Sequence, residues 1–371
     1  MIRSSSSTRV SSPGTQNCTK SGLPFLLKVL SIAKPLSIQA HPDKKRSAIL
    51  HDLLPDIYKD PNHKPELAVA LTPFEAMCGF RPCIDIVTDI ARVPEFADAA
   101  VRTVADDFVR VVKSRSFVPK RALRALFSSL MSRSHEDIKH SIENLVARLG
   151  SMAKSDLTAR DHLLLHLHSE FPGDIGCFGA YLFNHVHLAP GQAIFIQANE
   201  PHAYIKGQCL EIMACSDNVV RAGLTPKLKD VDTLVDILSY NDAPIEIMEG
   251  IRLDDYATVY APPVDEFLLI KYELPPGATC ALQATTAPTI IVALAGDGFI
   301  RLDSRDNSSS THALPLSAGC SYILKSDMTF AVSASSPTYF GSAKALHSPL
   351  VFFRAGTNEA AITSGARCSV M

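Results

Sequence analysis

Tryptophan is missing from all 371 residues, and aromatic side chains of every kind make up only 7%. No apolar run reaches the ~18–20 residues that a membrane-spanning helix needs, so no membrane partner is expected. Neither sign of charge dominates. Lys and Arg number 36 against 38 Asp and Glu, a net charge of −2, which gives no reason to expect nucleic acid or an anionic surface as partner. The nine cysteines lack paired zinc-knuckle spacing. Several (Cys209, Cys215, Cys280) sit in apolar runs and read as buried free thiols of a reducing compartment, which points to the cytoplasm. The start, MIRSSSSTRVSSPGTQNCTKSG, has no apolar centre and so is not a secretory signal; residues 1–22 read as a disordered tail. The whole chain is 46% hydrophobic, enough for packed domains, and long enough for two or three of them.

The organising stretch is KPLSIQAHPDK, Lys34–Lys44. Read as a strand that ends in a proline turn, it puts Leu36, Ile38 and Ala40 on one face and Ser37, Gln39 and His41 on the other. Two ligands at i, i+2 on a polar face can meet one metal ion; a half-buried strand with a solvated front is the plainer alternative. The apolar run Phe25–Ala33 before it reads as a buried strand, and Lys44–Leu54 after it as a helix closed by Pro55. If Lys64–Ala70 is extended, Lys64, Glu66, Ala68 and Ala70 share a face. A carboxylate on so apolar a strand needs a metal or a lysine as partner.

From Ile84 to about His168 the apolar spacing becomes helical, with Pro82, Pro94, Pro119 and Pro172 as punctuation. This block, 83–172, reads as an all-helical insertion. His162, His166 and His168 lie in it without the HExxH arrangement and read as solvated or core-edge side chains. On either side, 23–82 and 173–240 read as one discontinuous β-domain of jelly-roll type, and 241–371 as a second. Thr225–Tyr240 is expected to cap the first as a helix. In QCLEIMAC, Glu211 is a lone charge on a soft face and is expected to point into a site. His202, after Pro201, is expected at the barrel mouth. His185 and His187 form a rival H-x-H pair that shares a face and could bind a metal, and would suit an iron-dependent oxygenase; with no acid at short spacing after them they rank below His41 and His202.

Five segments carry a resemblance: PFLLKVLSIAKPLSIQAHPDK, NHKPELAVALTPFEAMCGFRP, FPGDIGCF, LAPGQAIFIQANEPHAYIKG and CLEIMACSDNVVRAGLTPKLKDV. Together they resemble the type I mannose-6-phosphate isomerases (phosphomannose isomerases). The resemblance implies a mainly β fold with an inserted all-helical domain and two cupin-like jelly-roll domains. It implies a zinc enzyme, one ion per chain, that interconverts mannose 6-phosphate and fructose 6-phosphate through a cis-enediol and feeds GDP-mannose synthesis and glycosylation. The metal ligands map onto Gln39, His41, Glu66 and His202, and the catalytic arginine onto Arg221. Glu211 is the candidate proton carrier, with Lys64 as runner-up or as holder of substrate hydroxyls. Lys227 and Ser37 are the candidate phosphate contacts, and Tyr204 and Asp217 are expected to order the pocket. Small-molecule sugar phosphates are the expected partners and a monomer the expected state. Family members begin with a tryptophan-containing segment that 1–22 does not resemble. An incomplete first barrel is therefore expected, and with it an alternative: a non-catalytic relative that binds zinc or sugar phosphate without turnover.

Overall fold

The computed structural model describes residues 22–114, 119–303, 313–336 and 348–358, so nearly all of the expected tail 1–22 lies outside the described residues. The described chain divides into two units. One comprises Lys28–Glu211 and Cys215–Ile247; the other is built from Met248 onward, with the short stretches 22–27 and Ile212–Ala214.

The first unit is organised by a β-sheet. Its strands are β1 (Phe25–Ile32), β2 (Ile38–Ala40), β3 (Glu66–Ala70), β4 (Phe74–Phe80), β5 (Phe183–Leu188), β6 (Ala193–Ile196), β7 (His202–Ala214) and β8 (Val220–Gly223). The order β5-β4-β7-β3-β6 runs across the sheet; β1 and β2 also pair with β7, and β2 pairs with β8. The thirteen-residue β7 is thus the common neighbour of four other strands. Its interior face, with β4 and β5, packs Phe74, Ala76, Cys78, Val186, Leu188, Tyr204 and Cys209 into one core. Every residue of β3 is buried, as expected for a strand with neighbours on both sides.

Two expectations fail locally. Phe25–Ile32 is a strand, but only Phe25 and Ile32 are buried; Leu26 and Val29 are exposed. Among the described residues β1 has β7 as its sheet partner, so it lies at an edge and its apolar density does not report burial. Leu36 is likewise exposed while Ile38 and Ala40 are buried, because β2 begins only at Ile38. The thiol expectation holds for Cys78, Cys83, Cys177 and Cys209, but Cys215, Cys280 and Cys320 are half-buried.

Between β2 and β3 runs α1 (Lys44–Leu53), where the spacing predicts a helix, and between β4 and β5 the chain is helical: α2 (Cys83–Arg92), α3 (Pro94–Ala99), α4 (Arg102–Lys113), α5 (Pro119–Met131), α6 (His135–Gly150), α7 (Ala159–Glu170) and the single turn α8 (Gly179–Leu182). The sequence sets the helix starts. Ser134 accepts from the Asp137 backbone, and Thr158 and Asp161 form a reciprocal capping box. Leu123, Leu126, Phe127, Leu145 and Leu164 share one core with Phe178 and Phe183, and the Phe127 ring meets that of Phe183, the first residue of β5. A buried polar knot reinforces it. The Arg92 guanidinium grips both oxygens of Asp161 at 2.8 and 2.9 Å, and the Tyr181 hydroxyl donates to the same carboxylate at 2.7 Å. His162 and His166 are exposed on α7 and His168 half-buried, as the spacing suggested. The segment after β8 yields a shorter helix than expected, α9 at Val231–Ile237, capped by Asp230.

The second unit is a pair of antiparallel sheets. Six strands run in the order Ile251–Arg252, Ala257–Tyr260, Leu268–Leu274, Leu350–Gly356, Thr289–Ala295, Ser321–Leu324, and four in the order Thr279–Leu282, Phe330–Ala334, Asp297–Leu302, Leu314–Ser317. Alternate residues from both (Leu274, Leu282, Ile291, Ile300, Leu316, Val332, Phe352) fill the space between them. The fold is therefore mainly β with an inserted helical domain and barrel-like jelly-roll sheets.

Candidate metal centre

Three side chains from three strands meet inside the first unit. Glu66 opens β3, His202 opens β7, and His41 follows the last residue of β2; all three are about 1% exposed. His41 Nε2 lies 3.3 Å from Glu66 Oε1, and His202 Nε2 3.3 Å from Glu66 Oε2. The donor atoms of all three lie within 4.8 Å of one another.

The far side of each ring decides what the near side can be. His41 Nδ1 lies 2.7 Å from the Asn218 carbonyl and His202 Nδ1 3.0 Å from the Glu200 carbonyl. A carbonyl only accepts, so both Nδ1 atoms carry the proton and both Nε2 atoms present lone pairs to the centre. Burial lowers the His41 pKa to about 4 against the pull of Glu66, so this ring is neutral near pH 7. For Glu66, burial pushes upward, but the neighbouring His41 and His202 outweigh it and hold the carboxyl well below its ordinary range. Two imidazole lone pairs thus face a carboxylate. His41 Nε2, His202 Nε2 and Glu66 Oε2 are all buried without a hydrogen bond. Buried polar atoms need partners, and a cation between them supplies one for each. The spacing also fits: ligands ~2.0–2.1 Å from a tetrahedral zinc stand about 3.3 Å apart. The neighbouring thiol of Cys78 is pushed up to about 12 by burial, and it is not one of the three residues whose donor atoms cluster here.

The rest of the expected set is arranged around these three. Gln39, half-buried, is the cross-strand partner of His202 on β7 and of Arg221 on β8. Cross-strand partners share a face, so Gln39, His202 and Arg221 look the same way. Lys64 Nζ lies 3.3 Å from Glu66 Oε1. Glu211 is buried and paired with Lys28 at 2.8 Å. Tyr204, buried next along the interior face of β7, has its hydroxyl pKa raised well above the usual value by burial first and then by Glu211 and Glu66. Ser37 is half-buried and Lys227 exposed. Asp217 is exposed, and its backbone N–H donates to Asp60 Oδ2 at 2.8 Å. Its neighbour Asn218 accepts from His41 Nδ1 through its carbonyl and donates through its amide to the Asp60 and Asn62 carbonyls at 2.6 and 2.9 Å.

Two further positioning groups escape the sequence reading. Asn199, at φ +67°, accepts from the Asp43 backbone N–H and donates to Asp43 Oδ2, both at 3.0 Å, while its own N–H donates to the His41 carbonyl at 2.7 Å. It latches the loop before His202 to the turn after His41. Asp174, of the PGDIG turn, receives the Gly176 and Leu224 N–H groups at 2.7 and 2.6 Å and fixes the end of β8 just beyond Arg221. The H-x-H pair, by contrast, is not in the barrel interior. His185 and His187 pair with Met77 and Glu75 of β4, on the face opposite Ala76, Val186 and Tyr204. An oxygenase centre inside the barrel is excluded for them.

Comparison with known proteins is consistent with this centre. The family model for the phosphomannose isomerase type I catalytic domain matches residues 2–83, a span that includes the serine-rich start, and that for the helical insertion domain matches residues 102–183. The mannose-6-phosphate isomerase of Bos taurus is 42% identical over 304 residues, 80% of this chain and 71% of the relative. The chain belongs to the type I phosphomannose isomerase family. Mannose-6-phosphate isomerase 1 of Arabidopsis thaliana is 43% identical over 277 residues, 74% of this chain and 64% of the relative, so the chain spans a little under two thirds of that protein's length. A solved mannose 6-phosphate isomerase in its zinc-bound holo form superposes with a TM-score of 0.74 at 30% identity, over 91% of this chain and 80% of that one. No helix among the described residues is long and apolar enough to cross a membrane.

Proposed function

We propose that this chain is an aldose–ketose isomerase that interconverts mannose 6-phosphate and fructose 6-phosphate, with one zinc ion per chain. The observation that carries the reading is the set of three orphaned, buried donors on His41, Glu66 and His202, beside the face shared by Gln39 and Arg221. His41, Glu66, His202 and Gln39 are the residues that would hold the ion. When bound, zinc supplies a Lewis acid that polarises or orients the sugar oxygens.

The chain's own residues do the remaining work. Isomerisation takes the proton from C2 of the aldose and returns it to C1 through a cis-enediol, so negative charge develops on the oxygens of both carbons. Arg221 stays protonated throughout and donates to two oxygens at once. Glu211, buried and 2.8 Å from Lys28, carries the proton. Lys64, drawn to Glu66, holds substrate hydroxyls and is the second candidate base. Lys227, exposed, and Ser37 take the phosphate, and Tyr204 walls the pocket. The chain acts as a monomer on small-molecule sugar phosphates in the cytoplasm, upstream of GDP-mannose synthesis, with no nucleic acid or membrane partner.

The test is turnover of mannose 6-phosphate by the purified chain loaded with zinc, with Arg221→Ala alongside. Turnover that collapses in the variant supports the reading. A soluble, zinc-loaded chain with no turnover rejects it.

A further inference from the structure

A second group of metal donors lies on the other face of the same sheet. Glu75 of β4 stands directly across from His187 of β5, and Met77 across from His185, in a register without interruption from Phe74 to Cys78. The i, i+2 spacing puts both histidines on the face that carries Glu75. The donor atoms of the three lie within 4.8 Å of one another. The two rings are 4.2 Å apart, centroid to centroid, and tilted by 54°. His185 Nε2 lies 3.5 Å from Glu75 Oε2, buried and without a hydrogen bond. Alternate residues of β4 and β5 (Phe74, Ala76, Val186, Leu188) point into the core that holds Tyr204, so the sheet itself separates this cluster from His41, Glu66 and His202.

We propose that Glu75, His185 and His187 form a second, independent metal site that takes a divalent first-row transition cation such as zinc, nickel or copper. Two imidazoles and one carboxylate suit these cations and not magnesium or calcium, which prefer all-oxygen shells. Three protein ligands leave positions for water. His187 is exposed, so the ion exchanges readily with solvent. The β4–β7 register also places the exposed Lys206 across from Glu75, a competitor for the carboxylate that sets this site weaker than the buried one. The proposal is independent of the isomerase reading, since it needs neither sugar nor turnover.

The full chain, stripped with chelator and titrated with Zn²⁺ alone by calorimetry, is expected to bind two equivalents, the second at least tenfold more weakly. His187→Ala, a substitution at an exposed position, is expected to lose the weaker equivalent and keep the tighter one. His202→Ala is expected to do the reverse. Cu²⁺ bound to His202→Ala is expected to show hyperfine coupling to two nitrogens in its electron paramagnetic resonance spectrum, and to lose one of them when His185→Gln is added. Saturation of the parent at one equivalent, or a His187→Ala isotherm identical to the parent's in a chain whose circular dichroism is unchanged, overturns the proposal.

Discussion

Asn199 offers the sharpest test of how the buried centre is held. Its side chain makes two hydrogen bonds to Asp43, one from the Asp43 backbone N–H and one to a carboxylate oxygen. Burial alone would raise the Asp43 carboxyl, yet the Arg46 N–H and the Asn199 amide hold it below its ordinary range, so the second bond is charge-assisted. A neutral bond contributes about 0.5–1.5 kcal/mol and one to a charged group about 1.5–3 kcal/mol, so Asn199→Ala loosens the His41–His202 latch by about 2–4 kcal/mol. The backbone bond from Asn199 to His41 survives truncation, so only part of this reaches the metal. A 10–100-fold loss of zinc affinity is expected, in the range for groups that orient ligands. Alanine at φ +67° adds about 1–2 kcal/mol of backbone strain, which Asn199→Gly does not share. Zinc affinity measured by competition with a chromophoric chelator should fall in both variants. Parent-like affinity in both refutes the latch, and weak binding in the alanine variant alone assigns the effect to strain.

Glu66→Gln keeps shape but removes the charge facing two lone pairs; it should abolish retention of zinc through gel filtration, and full retention would refute the assignment. Gly223→Ala places a methyl group 2.6 Å from the Gly176 Cα, so the turn held by Asp174 must shift along with the end of β8; kcat should fall with zinc content unchanged, and an unaltered kcat would show that Arg221 does not depend on that turn. Asp161 is fully buried, and although burial opposes ionisation, the bonds from Arg92, Thr158 and Tyr181 lower its pKa to about 2 from 3.8. Its stabilising share is complete above about pH 4 and is lost as pH falls through about 2, an effect of up to about 2 kcal/mol. The thermal midpoint of Asp161→Asn, followed by helical circular dichroism, should therefore lie below the parent's at pH 7 and approach it at pH 2; a constant gap would refute the linkage.

The three buried candidate ligands stood out in the sequence because each stands where a polar side chain calls for a partner: Glu66 on an all-apolar strand, His41 with Gln39 on the polar face of an alternating one, His202 after a proline turn. The ligand set as a whole, and Arg221, came through the family resemblance, and the register places Gln39 and Arg221 on one face. Asn218 and Asn199 were not legible, since they act through carbonyls and amides on segments far away in the chain. Glu75 was missed for a related reason. It precedes the H-x-H pair by the whole helical insertion, and only strand pairing reveals it opposite His187. Burial along β1 was misread because apolar composition says nothing about whether a strand has a neighbour on each side.

The dispersal of the ligands also bears on how the protein is made. His41 and Glu66 leave the ribosome before any of the helical insertion, whereas His202 follows all of it. A nascent chain therefore carries every proposed ligand but His202 while α2–α8 are being synthesised, and bringing His202 back across that long loop costs entropy. On the proposed zinc reading, metal capture would come late, once β7 has entered the sheet, and the ion would act as a seal on a finished fold rather than as a nucleus for it. Lesions in the helical block, remote from His41, Glu66 and His202, would then show as chains that fail to take up zinc.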